Sequence, residues 1–225
     1  VQTFGFLERP SGLARGEETG SWREPERPEK NFREVAGSRD EKGSFYLLAG
    51  AGLHEIAASD GEFLLTLLRS FRRTVGSNGE EPAGVGRFEF DYALLFEKPD
   101  FAIADAYLAH RRRSEELISY VAAFNPAPPA ESSFVTLEAK YVDLSILKPA
   151  EERPGALVLR LCNYGDKAET ATLRFGFELA AAHRCNLAET VLEELPVAGR
   201  ELQLEIGSHQ LFTILITPNK PEEEK

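Results

Sequence analysis

Four histidines, His54, His110, His183 and His209, are the side chains of this sequence best suited to proton transfer or metal ligation. They lie far apart and form no HxH, HxxxH or HExxH arrangement. His54-Glu55 opens like a zinc-binding helical motif, but the second histidine that motif needs would fall at Ala58. On a strand, adjacent side chains also point to opposite faces, so His54 and Glu55 would not converge. All four histidines are therefore expected to be structural. An acid–base pair needs two carboxylates flanking the reacting bond. The acids in apolar surroundings are Glu55, Asp91 and Asp143; each occupies a strand-like run and is expected to face solvent. Arg69 and Arg160, at strand ends, are expected to pair with acids. No GxSxG elbow and no phosphate-binding glycine loop occurs, and Gly84-Val85-Gly86 lacks both the third glycine and a following helix.

Cys162 and Cys185 are the only cysteines. Two thiols make no zinc cluster, and two reduced buried cysteines are expected rather than a disulfide, since nothing marks the chain as secreted. The balance of 26 basic and 37 acidic residues gives a net charge of −11, which opposes nucleic acid and anionic membrane as partners. Arg111-Arg112-Arg113, followed by Glu115-Glu116, has the composition of a solvated helix face. No apolar run reaches the roughly 20 residues that span a bilayer. No basic and apolar leader opens the chain, but the sequence has no methionine and can be a fragment, so that absence says little about a parent protein; a cytoplasmic setting is the expectation.

The elements that would position these side chains are mostly strands. Residues 1–10 suggest an extended entry strand, and 11–31 a polar loop carrying Trp22. Two strands follow, Phe32 to Val35 and Phe45 to Leu48, joined by a turn at Asp40 to Gly43. Two apolar runs flank Asp60-Gly61, a hairpin signal. The second run, Phe63 to Leu68, is apolar enough to predict a central strand buried on both faces. From Val85 to Phe96, alternation predicts a half-buried strand with Phe88, Phe90, Tyr92 and Leu94 on one side. A helix is predicted over 101–122, with Ile103, Ala106, Tyr107 and His110 on its apolar face. Strands return at 134–147. Lys148 to Gly155 is a polar joint, either a domain boundary or a hairpin loop. Beyond it the expected strands are Leu157 to Asn163, Ala171 to Phe177, Leu187 to Leu195, Leu202 to Ile206 and Leu211 to Ile216, with Asn163 to Asp166 turning the chain. This spacing is that of an antiparallel sandwich.

GLHE at 52–55, LLTLLRS at 64–70, FLERP at 6–10, DYAL at 91–94 and LVLRLCN at 157–163, taken in order, make residues 4–216 resemble the C-terminal region of bacterial α-mannosidases of glycoside hydrolase family 38, whose relatives include mannosylglycerate hydrolases. The resemblance implies a mainly β chain. An antiparallel β-sandwich, part of a galactose mutarotase-like supersandwich with one helix, would occupy residues 1–150. A small all-β sandwich would occupy 151–217, and a charged disordered tail 218–225. It also implies that the zinc ligands and the nucleophilic aspartate of the parent enzyme belong to an N-terminal β/α barrel. No catalytic or metal residue, and no cofactor, is then expected in this chain. Its partner would be that barrel, and α-mannoside would be met through the parent.

Two other readings fit the same residues. A free-standing carbohydrate-binding sandwich would use Trp22 or Tyr92 as a stacking platform. A structural interaction module would show an exposed apolar patch. If the chain is part of a larger sandwich, an open sheet edge is also expected, through which two copies could pair.

Overall fold

A computed structural model of the chain describes residue 6 and residues 29–50, 52–59, 62–68, 86–115 and 132–219. Two compact units share these residues, 6–115 in the first and 132–219 in the second. Trp22, Arg69, most of the predicted entry strand and the helical positions beyond residue 115 lie outside the described residues.

The first unit has six strands and one helix. They are β1 (Glu29–Asn31), β2 (Val35–Arg39), β3 (Ser44–Ala49), β4 (Glu55–Ser59), β5 (Glu62–Leu65), β6 (Tyr92–Glu97) and α1 (Ile103–Ser114). They form two three-stranded antiparallel sheets, ordered β1-β4-β5 and β2-β3-β6. β1 lies in a stretch expected to be loop. The turn between β2 and β3 is closed by Asp40, whose carboxylate accepts from the backbone of Lys42 at 2.8 Å and Gly43 at 3.0 Å. Those two amides hold the carboxyl of Asp40 below its ordinary pKa. β4 and β5 pair antiparallel with Ser59 opposite Glu62, while Asp60 and Gly61 themselves lie outside the described residues.

The central strand is β3, not the leucine run. Leu47 and Ala49 join a core with Phe32, Ala36 and Leu53, packed by Ile56, Phe63 and Leu65 of the other sheet. From the opposite face of β3, Tyr46 is buried and donates its hydroxyl to the carbonyl of Phe101 at 2.8 Å. In β5 only Phe63 and Leu65 turn inward; Leu64 is 58% exposed, and beyond the strand Leu67 and Leu68 are exposed too. The expected doubly buried strand is thus the outer strand of its sheet among the described residues. β6 is also phased opposite to expectation. Ala93 and Leu95 are half-buried, whereas Tyr92, Leu94 and Phe96, on the same face as Ala49, Leu47 and Phe45 of β3, are left exposed beyond the edge of the inter-sheet core. Both faces of this strand carry apolar residues, so alternation marks the strand without saying which face is covered.

The helix runs shorter than predicted, from Ile103 to Ser114, and Glu115 closes it. Its predicted face holds: Ala106, Tyr107 and His110 are buried. Phe6 packs edge-on against Tyr107, ring centroids 5.9 Å apart. Asp105 in the first turn and Arg111 to Arg113 in the last both suit the helix dipole.

The second unit is a sandwich of β7 (Val135–Glu138), β8 (Val142–Pro149), β9 (Leu157–Asn163), β10 (Glu169–Phe175), β11 (Leu179–Cys185), β12 (Val191–Leu195), β13 (Glu201–Ile206) and β14 (Leu211–Pro218). A three-stranded sheet, β13-β10-β7, faces a five-stranded one, β12-β11-β14-β9-β8. Leu159, Leu161, Ile214 and Ile216 from the larger sheet meet Leu173, Leu202, Leu204 and Ile206 from the smaller in one core. The joint expected at Lys148 to Gly155 proves to be a hairpin: Lys148 and Pro149 already pair with β9 as the end of β8, and residues 150–156 form the loop. A boundary at 150/151 would cut that hairpin, and strands 135–149 belong to the second unit. The loop is tied down by Lys148, whose ammonium lies 2.6 Å from Glu189 and 2.7 Å from Glu151. β11 was not expected to be a strand. Its Ala-rich LAAAHRC has neither the branched residues nor the alternation that signal one.

Asn163 at the end of β9 is fully buried and uses both ends of its amide. Its Nδ2 donates to the carbonyls of Lys167 at 2.8 Å and Ile206 at 3.0 Å, and its Oδ1 accepts from Gly165 N at 2.8 Å. One side chain therefore fixes the β9–β10 turn and ties it to the end of β13. Cys162 and Cys185 are both buried and free. They sit on β9 and β11 with β14 between. Two strand spacings, about 9.5 Å, exceed the Cα separation a disulfide can bridge.

Replacing Asn163 by alanine should destabilise the second unit by roughly 2–4 kcal/mol, since buried carbonyls and an amide lose their partners. Urea denaturation of the variant checks this, and a shift within error of the parent would contradict the role. Burial also raises the pKa of both thiols. Ellman titration should therefore find two thiols in denaturant and almost none in the native protein.

Candidate functional site

A polar recess of about 380 Å³ lies in the first unit. Three short pieces of chain shape it. Phe32 to Glu34 lead into β2, Gly50 to His54 connect β3 to β4, and His110 to Ser114 form the last turn of α1. The backbone of the first two pieces is pinned. Phe32 N donates to His54 O at 2.9 Å, Ala49 N to Glu34 O at 2.7 Å, and Gly50 N to Asp91 O at 2.8 Å. Gly50 is required there, because a Cβ would stand 2.6 Å from that Asp91 carbonyl. Glu34 holds a left-handed backbone, φ 67°, a conformation that non-glycine residues adopt at a cost.

The floor is apolar, formed by the buried Phe32 and Leu53. The polar wall carries the chemistry. His110 is only 3% exposed, and its Nδ1 has no hydrogen-bond partner. Burial pushes its pKa below 6.5; Glu34 and Asp91 oppose that shift, while Arg113 and Arg111 reinforce it. The ring is thus neutral at pH 7. Glu34 pairs with Arg33 at 3.5 Å, and Arg111 with Glu115 at 3.6 Å. Ser114 Oγ donates to Arg111 O at 3.2 Å, which leaves its lone pairs to accept. A more open groove of about 450 Å³ lies beside the β2–β3 turn and has no buried titratable group.

The structure brings His54 and His110 to one cleft but keeps the other two histidines in the second unit. His183 lies within β11, and His209 pairs with Asp166 at 3.1 Å. Of the three carboxylates singled out, Asp91 is exposed and ion-paired with Arg113. Glu55 opens β4 and is half-buried, and Asp143 is half-buried opposite Cys162, so neither is the solvent-facing acid expected. Arg160 also departs from expectation. It donates to Thr213 Oγ1 at 3.3 Å and to the carbonyl of Leu187 at 3.4 Å rather than to an acid. Tyr92 is exposed at the start of β6, opposite Ala49. Among the described residues no group of three or more His, Cys, Asp or Glu side chains could hold a metal, so these residues do not fit a zinc site. No described helix is long and apolar enough to cross a membrane.

Sequence comparison bears on the second unit. Residues 141–214 match the family model described as the glycosyl hydrolases family 38 C-terminal beta sandwich domain. The match runs from the start of β8 into β14, about a third of the chain, and covers most of the sandwich. It agrees with the resemblance carried by LVLRLCN. No curated protein matches the chain.

His110 makes the first unit sensitive to acid. Its folded-state pKa lies below 6.5, so the unfolded chain binds the proton more readily. The stability due to the neutral ring is complete above pH 6.5 and is lost as pH falls through the folded value. Amide exchange of Ala106 and Tyr107 should quicken between about pH 7 and about pH 5 beyond the intrinsic trend, and His110→Phe should flatten that response. An unchanged profile in the variant would show that another group sets it.

Proposed function

We propose, from the family 38 match over residues 141–214, that this chain is a non-catalytic C-terminal region of a retaining α-mannosidase-like glycoside hydrolase. In this reading it packs on the enzyme's zinc-dependent catalytic barrel and helps to shape the carbohydrate cleft. The zinc and the nucleophile belong to that barrel. The setting is cytoplasmic, in keeping with two free thiols.

The observation that carries the reading is the open apolar face of the first unit. Tyr92 is 47%, Leu94 51% and Phe96 71% exposed, three alternate positions on the face of β6 that continues the core-facing side of β3. Leu64, Leu67 and Leu68 add further exposed apolar surface along the other sheet. The row on β6 marks a face that is covered in use, because covering apolar surface returns roughly 25 cal/mol per Å². The occupant we assign is the remainder of a family 38-like polypeptide, since the matched domain is described as the C-terminal one. Tyr92 sits on this face, with a ring available at the rim of a sugar cleft.

The purified chain, supplied with zinc, should hydrolyse no α-mannoside. It should bind the barrel region encoded with it, and Phe96→Asp should abolish that capture. Phe96 is largely exposed but its ring packs on Phe45 across the β3–β6 pair, so this substitution should cost roughly 1 kcal/mol of stability and leave the chain folded. Turnover that co-purifies with this chain would overturn the reading, as would self-association through the same face with no affinity for the barrel.

A further inference from the structure

The backbone edge of β6 is a surface distinct from the apolar row that the strand carries on one face. We infer that this edge pairs, antiparallel and about a two-fold axis, with β6 of a second copy of this chain, so that two three-stranded sheets join into one of six. The inference does not rest on the scaffold reading. It concerns the edge of the strand and leaves the apolar face to a separate cover.

The hydrogen-bond register defines the edge. Bonded and non-bonded residue pairs alternate along an antiparallel ladder. Gly50 N donates to Asp91 O at 2.8 Å, so the bonded pairs that follow are Leu48 with Ala93 and Tyr46 with Leu95. The bond from Ala49 N to Glu34 O agrees, because it turns Ala49 toward β2 and its neighbour Leu48 toward β6. Tyr92, Leu94 and Phe96 therefore direct their N–H and C=O groups away from β3, on a side where no strand meets them among the described residues. These are also the three residues whose side chains are exposed.

The other outer strands of the described sheets are guarded against such pairing. β8 has a register shift and ends in Lys148-Pro149, β12 carries Glu193 and Glu194, and β13 carries Glu201 and Glu205. β1, β2, β5 and β7 have only three to five residues each. β6 has six residues in unbroken register, no proline, and its one charge, Glu97, at the end.

The order of its side chains selects a second copy as the occupant. The exposed row is aromatic, leucine, aromatic, which reads the same in both directions. A two-fold axis at Leu94 sets Leu94 opposite Leu94 of the partner subunit and Tyr92 opposite Phe96 of the partner subunit, so each exposed apolar residue meets another. All three facing pairs are then of the hydrogen-bonded kind. The same register sets Asp91 opposite an acid, Glu97, but Asp91 is already ion-paired with Arg113. Six residues a side is far short of the roughly 20–30 of a standard interface, so the pairing is weak.

Sedimentation equilibrium of the intact chain, from about 5 µM to about 1 mM, should show a reversible monomer–dimer equilibrium with a Kd on the order of 100 µM. Leu94→Pro removes an N–H that points to the open edge and leaves the β3 ladder whole, so the variant should keep its circular dichroism and lose the dimer. Leu94→Lys keeps the N–H but sets like charges together on the axis, and it should weaken the dimer at least tenfold. Cysteine cross-linking reads the register. Under mild oxidation Leu94→Cys should give a linked dimer, because bonded pairs stand about 5.5 Å apart at Cα, within disulfide reach. Tyr92→Cys alone should give none, since it would face Phe96, and the two native thiols are buried. A monomer over the whole concentration range would overturn the inference. So would a dimer that survives both Leu94→Pro and Leu94→Lys, or cross-linking through Tyr92→Cys in place of Leu94→Cys. Capture of the barrel is measured on the parent chain at a few µM, where it is monomeric, so the edge pairing and the scaffold reading can fail separately.

Discussion

An antiparallel sheet with apolar residues on both faces must find a cover for each, and that constraint organises this chain. In the second unit the requirement is met internally. The five- and three-stranded sheets lay their inner faces against each other, and Leu159, Leu161, Leu173, Ile206 and Ile214 are fully buried between them. The outer face of the larger sheet has a smaller cluster of its own around Val158, Cys185 and Leu215. In the first unit β3 finds both covers, the second sheet on one side and the α1 segment on the other. β6 finds only one, and Tyr92, Leu94 and Phe96 remain outside. The scaffold reading follows from that asymmetry.

Polar groups complete the second unit where packing cannot. Asn163 is buried at a chain reversal, where turn carbonyls would otherwise lack donors, and its amide serves both the turn and the neighbouring β13. The Lys148, Glu151 and Glu189 cluster does a similar task at the surface, anchoring the β8–β9 loop to the segment before β12. Full burial of Asn163 makes its hydrogen bonds worth more than those partly solvated ion pairs. The first unit contains the opposite case. His110 is buried without a partner for Nδ1.

Much of the fold is legible in the sequence because period-two alternation survives in β10 and β13, while β9 and β14 are apolar runs buried on both faces and bounded by turn residues. It fails where alternation is silent about context. β6 has apolar residues at both parities, so its phase is set by what packs against β3 and not by its own pattern. The leucine run of β5 reads as deeply buried, yet its buried face is only Phe63 and Leu65. β11 is invisible because alanine fits any structure, and only pairing with β12 and β14 makes it a strand. The cleft is harder still to foresee. Glu34, His54 and His110 are separated by long intervals and meet only because α1 folds over β2 and β3. The one local hint was a histidine at a buried position of the predicted helix, which the sequence alone explains as core.

Residues 141–214 resemble a C-terminal family 38 sandwich, and the open face of β6 suggests what the rest of the chain is for. Radical footprinting of Tyr92 and Phe96 tests that link most directly, comparing this chain alone with the complete polypeptide from which a family 38 domain would come. The account predicts heavy labelling of both rings in the isolated chain and strong protection in the complete polypeptide. Equal labelling in the two would contradict it, since the face would then be open in use and the first unit would have no docking role.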